Sequence, residues 1–204
     1  SQMSILEYNG GAVIGMVGKD CVGICCDLRL GAQAQTVSNN FPKVFQISQT
    51  LFVGLTGLAT DVLSLHQTLV FRSNLYKLRE ERDLSPTNFA ALLSSLLYEK
   101  RFGPWFCEPI VVGLENGEPF LTSMDLIGAP MKCDDFVVSG TCKANLYGTC
   151  ESLFRPDLSP EELFEVLSQC MLAAVDRDAL SGWGGVVYII TKDGVTERKL
   201  KTRQ

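Results

Sequence analysis

The order of apolar patterns constrains this chain most: strand-like runs and helix-like stripes come in separate blocks. Strands are followed by two helices, then strands, two more helices and closing strands. The βαβ rhythm of a parallel sheet is missing, so antiparallel sheets with helices layered outside them are expected. Ala12 to Val17 and Cys21 to Leu28 are β-suitable runs around Gly18-Lys19-Asp20, read as a three-residue hairpin loop. Val44 to Ile47 and Leu51 to Leu55 form a second pair. The period then turns helical, with Leu58, Val62, Leu65 and Leu69 in step and Leu75 and Tyr76 continuing the segment. Ser85-Pro86 opens the next helix as N-cap and first helical residue. Its stripe is Phe89, Leu92, Leu93, Leu96 and Leu97, and Gly103-Pro104 stops it.

The middle of the chain returns to strands. Ile110 to Leu114 and Phe120 to Met124 flank Asn116-Gly117, two residues that tolerate positive φ in a tight hairpin turn. Phe136 to Ser139 is a further short strand, and a helix runs from about Lys143 to Phe154. Ser159-Pro160-Glu161-Glu162 combines an N-cap, a proline at the first helical position and a capping-box glutamate. The chain closes with Gly185 to Thr191, a turn at Asp193-Gly194 and Val195 to Leu200. Four amphipathic helices need two sheet faces to bury against. The expected class is α+β: a four-layer αββα sandwich of two antiparallel sheets. No linker or repeat interrupts it, so a single domain over residues 1–204 is expected.

Composition removes several function classes. The apolar share is 46% and the net charge −5, which fits a chain with a core and argues against disorder. Basic residues are scattered, so no nucleic acid is expected as a partner. No apolar run approaches the ~20 residues that span a bilayer, and Ser1 to Gly11 lacks the features of a signal peptide, so no membrane is expected either. The eight cysteines sit in apolar patterns such as Cys-Val-Gly-Ile-Cys-Cys and read as buried reduced thiols. With His66 the one histidine and no Cys-x-x-Cys pair, a structural zinc site is not expected. His66 itself reads as a packed or interface side chain. The location expected on these grounds is a reducing compartment, cytoplasm and nucleus.

The chemistry-bearing residues are dispersed. Cys25-Cys26-Asp27-Leu28-Arg29 ends a strand on a carboxylate, and Lys43 enters another strand sixteen residues after Asp27. Ser139-Gly140-Thr141 sits at a strand-to-helix junction. Arg177-Asp178-Ala179-Leu180-Ser181-Gly182 follows a helix and precedes a strand. With these residues the chain, from Gly10 onward, resembles the β-subunit family of the 20S proteasome, whose fold is that of the N-terminal-nucleophile hydrolases. Family members use an N-terminal threonine as nucleophile, with an aspartate sixteen and a lysine thirty-two positions on; here that register falls on Gly11, Asp27 and Lys43. Asp178 and Ser181 match the family's Asp-x-x-Ser-Gly motif, and Ser139 its Ser-Gly position.

The resemblance implies a hydrolase scaffold without its reaction. Catalysis of this type needs a hydroxyl on residue one and an amine or lysine to accept its proton; Gly11 has no side chain. Gly10 matches the residue before the family's processing cut, so residues 1–10 are expected to stay attached. Gly11, Asp27, Lys43, Ser139, Asp178 and Ser181 then form a vestigial constellation with no catalytic residue. The strings Tyr-Glu-Lys-Arg-Phe-Gly-Pro, Asp-Leu-Ile-Gly and Asp-Asp-Phe-Val-Val-Ser-Gly-Thr resemble the family's non-catalytic β3-type branch.

That branch implies ring architecture in ubiquitin-dependent protein degradation. Expected partners are β2-type and β4-type neighbours, α-ring subunits and the opposite β ring. It also implies a share in the wall of the β2-type neighbour's pocket, which takes basic side chains. Asp125 and Ala129 are the positions carried over, Ala129 standing where those subunits often have cysteine. No cofactor is required. A magnesium ion held by the backbone carbonyls of Val175, Asp178 and Ser181 is a further implication. Two other readings stand beside this one: an active hydrolase using Ser1, and a stand-alone binding protein on a recycled hydrolase fold.

Overall fold

A computed structural model describes residues 2–203; Ser1, on which the active-hydrolase reading depends, lies outside the described residues. A short 3-10 turn, Ile5–Glu7, precedes strands β1 (Ala12–Gly18), β2 (Cys21–Asp27), β3 (Leu30–Ala32), β4 (Gln35–Ser38), β5 (Val44–Ser48) and β6 (Leu51–Gly57). Helices α1 (Ala59–Glu80) and α2 (Pro86–Glu99) follow, then β7 (Cys107–Glu115), β8 (Glu118–Met124), β9 (Pro130–Lys132) and β10 (Phe136–Gly140). Helices α3 (Lys143–Leu153) and α4 (Pro160–Val175) lead into the closing hairpin β11 (Gly185–Thr191) and β12 (Gly194–Leu200).

The expected four layers are present. One five-stranded sheet has the order β10-β1-β2-β11-β12 and the other β5-β6-β7-β8-β9; every pairing is antiparallel. Three apolar clusters mark the three seams. Ile14, Met16 and Cys25 face α3 and α4 through Leu146, Leu163, Leu167 and Met171. Leu51, Val53 and Val111 face α1 and α2 through Leu65, Leu69, Phe89 and Leu93. Between the sheets lie Val13, Ile24, Phe52, Ile110, Val112 and Leu121. Strand alternation divides the labour: on β1, Ile14 serves one seam and Val13 the next. No helix among the described residues is long and apolar enough to cross a membrane.

The local signals read from sequence act as expected. Ser85 accepts the Asn88 N–H, and Ser159 and Glu162 close a reciprocal capping box at the start of α4. Asn116 and Gly117 both hold positive φ, 55° and 82°. Two turns differ in detail. Gly18 pairs with Cys21, so the first hairpin loop has two residues, Lys19-Asp20, and Asp20 takes the left-handed position at φ 53°. Thr191 pairs with Gly194, which shifts the last turn to Lys192-Asp193. On β12 Arg198 pairs with Glu161 at 2.9 Å and covers the Phe164 ring at 4.4 Å, while Lys199 and Lys201 stay exposed. All eight cysteines are unpaired, and all but half-buried Cys133 are buried. Burial pushes the Cys107 and Cys142 thiols up to about 12, which keeps them unreactive. His66 stacks on Phe45 with ring centroids 3.9 Å apart.

Candidate functional site

Strand β2 ends on Asp27 because its carboxylate is wanted there: three backbone N–H groups converge on it. Ala12 donates to Oδ1 at 2.9 Å, and Gly182 and Arg29 donate to Oδ2 at 3.0 and 3.4 Å. Lys43, just ahead of β5, reaches back to Asp27 Oδ1 at 2.8 Å, with both side chains essentially without solvent contact. Its other neighbours are the carbonyls of Arg29 at 2.8 Å, Phe41 at 3.3 Å and Asp27 at 3.4 Å. An ammonium has three donors and no acceptor, and here acceptors already surround it.

Gly11 closes the group. Its φ is +132°, a region that side-chain-bearing L-residues rarely enter. A Cβ built there would lie 2.5 Å from Lys43 Cε and 2.9 Å from Cδ. The lysine stem therefore occupies the space that a side chain at position 11 would need. Nothing at this position can attack a carbonyl.

The downstream motif forms a second, adjoining group. Asp178 Oδ2 accepts from Ser181 Oγ and from Thr141 Oγ1, each at 2.6 Å, and Oδ1 accepts the Leu180 N–H at 3.1 Å. The Thr141 N–H donates to the Gly11 carbonyl at 2.9 Å, which ties this group to the first. Sequence reasoning did not assign Thr141 a role, although it stands in the Ser-Gly-Thr triplet. Arg29 was also missed. It is 1% exposed, and its three nitrogens donate to Thr36 Oγ1, Leu180 O and Gln33 O at 2.9 to 3.0 Å. Its signal was the alternation Asp27, Arg29 at a strand end.

Ser139 goes elsewhere. Its Oγ bonds Thr56 Oγ1 and donates to the Glu108 carbonyl at 2.9 Å. It lines a cavity of about 230 Å³ with Glu108, Asp125, Ala129, Lys143 and Tyr147. Asp125 and Ala129 are thus brought together: Asp125 Oδ1 accepts the N–H of Ile127 at 3.1 Å and of Ala129 at 2.8 Å. Lys143 and Glu108 pair at 3.1 Å. These two residues also border a second cavity of about 330 Å³, lined from the other side by Ser4, Leu6 and Glu7.

The segment ahead of β1 is tied to the fold through Tyr8, Asn9 and Gly10, with an exposed 3-10 turn before them. Ser4 Oγ accepts the Leu6 N–H, and the Glu7 carboxylate accepts the Ser4 N–H at 3.3 Å, which closes the 3-10 turn. Tyr8 and Asn9 carbonyls accept from Gln33 and Gly31 at 2.8 and 3.2 Å. Asn9 spans two elements, its Nδ2 donating to Gly31 O and its Oδ1 accepting the Ala59 N–H, both at 2.8 Å. That second bond satisfies the Ala59 N–H, one of the free donors of the first turn of α1, whose own N-cap residue Leu58 has no side chain able to do so. Gly10 lies so close to the downstream loop that a Cβ would meet Leu180 O at 2.0 Å.

In the loop after α4, Val175 O already accepts the Asp178 N–H at 3.2 Å. The Asp178 carboxylate is taken up as described, so only backbone carbonyls remain to a cation. Among the described residues no group of three or more His, Cys, Asp or Glu side chains is placed to hold a metal.

Two antiparallel sheets between helix pairs, with this strand-end constellation, define a proteasome-type chain, and this chain belongs to that family: the family model described as "Proteasome subunit" matches residues 7–190. Within it, the similarity is to the beta type-3 subunits of the 20S core. The chain is 59% identical to Proteasome subunit beta type-3 of Drosophila melanogaster over 98% of this chain and 99% of that one. It is 57% identical to the Dictyostelium discoideum protein of the same name, over 99% and 100% of the two chains. To that of Saccharomyces cerevisiae it is 56% identical, over 97% of each.

Proposed function

We propose that this chain is a non-catalytic β3-type subunit of the 20S core, contributing ring architecture and no bond cleavage of its own. The observation that carries this reading is Gly11. The register position of the nucleophile has no side chain, and the Lys43 stem lies 2.5 Å from where a Cβ would be. Asp27, Lys43, Asp178 and Ser181 serve in this reading as a hydrogen-bonded brace for the strand ends. Residues 1–10 stay attached, because position 11 offers no hydroxyl to cut the chain before it, and Asn9 is bonded to β3 and to the start of α1.

The finer assignments belong to the same proposal. The chain forms one domain and sits between β2-type and β4-type neighbours, against the α ring and the opposite β ring, in cytoplasm and nucleus. Asp125 and Ala129 contribute to the wall of the β2-type neighbour's pocket. There an exposed carboxylate favours basic side chains by charge complementarity. A hard cation such as magnesium fits only the backbone carbonyls of Val175, Asp178 and Ser181, and there it would brace the loop.

The test combines two measurements on the chain from its native particle. N-terminal sequencing is expected to find residues before Gly11 still present. Labelling of the particle with a threonine-directed covalent inhibitor is expected to leave this subunit unmodified. A chain beginning with a Ser, Thr or Cys and carrying the label overturns the proposal.

A further inference from the structure

Asp125 is not the only charge on its cavity. Glu108 and Lys143 line the same space of about 230 Å³ and pair at 3.1 Å. Strand register sets the two carboxylates level. β7 and β8 pair with Ile110 opposite Ser123, and two further steps along that register bring Glu108 opposite Asp125. Paired positions point their side chains to one face of a sheet, and like charges so placed repel. Each carboxylate also keeps an oxygen for use. Asp125 Oδ1 takes both backbone bonds and Lys143 takes Glu108 Oε2. Among the described residues nothing donates to Asp125 Oδ2 or Glu108 Oε1.

Lys143 is placed against the helix it begins. It is the first residue of α3, and the partial positive charge of a helix N-terminus disfavours a cation in the first turn. The ammonium gains from Glu108 what the helix end denies it. On the cavity wall Asp125 and Glu108 bring two negative charges and Lys143 one positive, which leaves a net of minus one. Lys143 is also a basic side chain seated on a carboxylate of the cavity. Its contact is the charge-assisted bond that a lysine or arginine from outside would make there. Its side chain is 43% exposed, so solvent and a ligand can both reach it.

On the reading that this cavity faces the β2-type neighbour's pocket, we propose that Lys143 and Glu108 set its specificity. Lys143 is a tethered counter-ion. It holds the cavity to one net negative charge and so limits the preference for a basic side chain. Without Lys143, Glu108 joins Asp125, and a lysine or arginine of the peptide substrate meets two carboxylates. Without Glu108, Lys143 stays behind and repels that side chain. The two partners of one ion pair thus act with opposite sign. A pair of purely structural value would be lost equally with either partner.

The experiment uses assembled core particles carrying variants of the full chain. Each is given a peptide cleaved after arginine and its twin with uncharged citrulline in that place, and the readout is the ratio of the two kcat/KM values. Lys143→Met keeps the stem and drops the charge; it is expected to raise the ratio about two- to fivefold, the scale of one partly exposed charge. Glu108→Gln is expected to lower the ratio by a similar factor, and Lys143→Arg to bring back the ratio that Lys143→Met disturbs. Asp125→Asn, measured alongside, separates this proposal from the reading beneath it. If Asp125→Asn lowers the ratio while Lys143→Met leaves it unchanged or lowers it, the role of Lys143 is overturned and the pocket reading stands. If none of the variants moves the ratio, both are overturned.

Discussion

The Asp27–Lys43 cluster and the cavity beneath Asp125 lie at the ends of neighbouring sheets, yet they are opposites. In the first, every charged group is buried and bonded. In the second, Asp125 and Ala129 are exposed around about 230 Å³ of open space. The Glu108–Lys143 pair borders the Asp125 cavity and the one lined by residues 4–7. A dry, saturated cluster can hold strand ends together and has no room for a substrate. An open one adds little to stability and is free to face another molecule.

Substitutions can break this contrast, and the largest effect is expected in the dry cluster. Asp27→Ala leaves a buried ammonium and the Ala12 and Gly182 N–H groups without their partner. It should lower unfolding free energy by about 3–5 kcal/mol in a denaturant titration. A loss under about 1 kcal/mol would mean that water reaches the cluster. Next in size is Gly11→Thr, which puts a β-branched residue at φ +132° against Lys43. Strain of this kind costs about 1–3 kcal/mol, and peptide hydrolysis should remain absent; turnover would show that Lys43 moves aside to serve as a base.

Asn9→Ala tests whether residues 2–10 belong with the dry side. It removes the side-chain acceptor of Ala59 and the donor to Gly31, and is expected to cost about 1 kcal/mol. Faster amide exchange should appear at Ala59 and Thr60. The smallest change in stability, within about 0.5 kcal/mol, is expected from Asp125→Asn, which keeps the Oδ1 acceptor for Ile127 and Ala129 while removing the charge. In the assembled particle it should lower kcat/KM for substrates cleaved after basic residues by up to about fivefold, the scale of one exposed charge. An unchanged ratio of basic to neutral substrates would place Asp125 outside the neighbour's substrate pocket.

The layering was legible because long elements carry redundant signals. Helix α4 announces itself by Ser159, Pro160, Glu162 and a stripe of buried residues, all of which agree. Short edge elements carry no such redundancy. Strand β4 is Gln-Thr-Val-Ser, mostly exposed, and β9 is three exposed residues, so neither shows an alternation to read. The site divides in the same way. The spacing of Asp27 and Lys43 from Gly11 follows the chain, and the structure brings all three together. Ser139 was grouped with them by motif. Strand period puts it on the same face as Val137, between the sheets, and so toward Thr56 and Glu108. Arg29 and Thr141 bond to loops far off in sequence, Leu180 and Asp178, and no local pattern encodes such partners.

The bond from Ala59 to Asn9 ties the leading segment to a helix it does not belong to. The first intrahelical bond of α1, Val62 N–H to Leu58 O at 2.9 Å, closes from neighbours alone. The Ala59 N–H takes its acceptor from a side chain 50 positions earlier, so that bond forms only when a long loop closes, with the entropy that closure costs. Protection of this one amide therefore marks the docking of the leading segment, separately from the folding of the helix it opens.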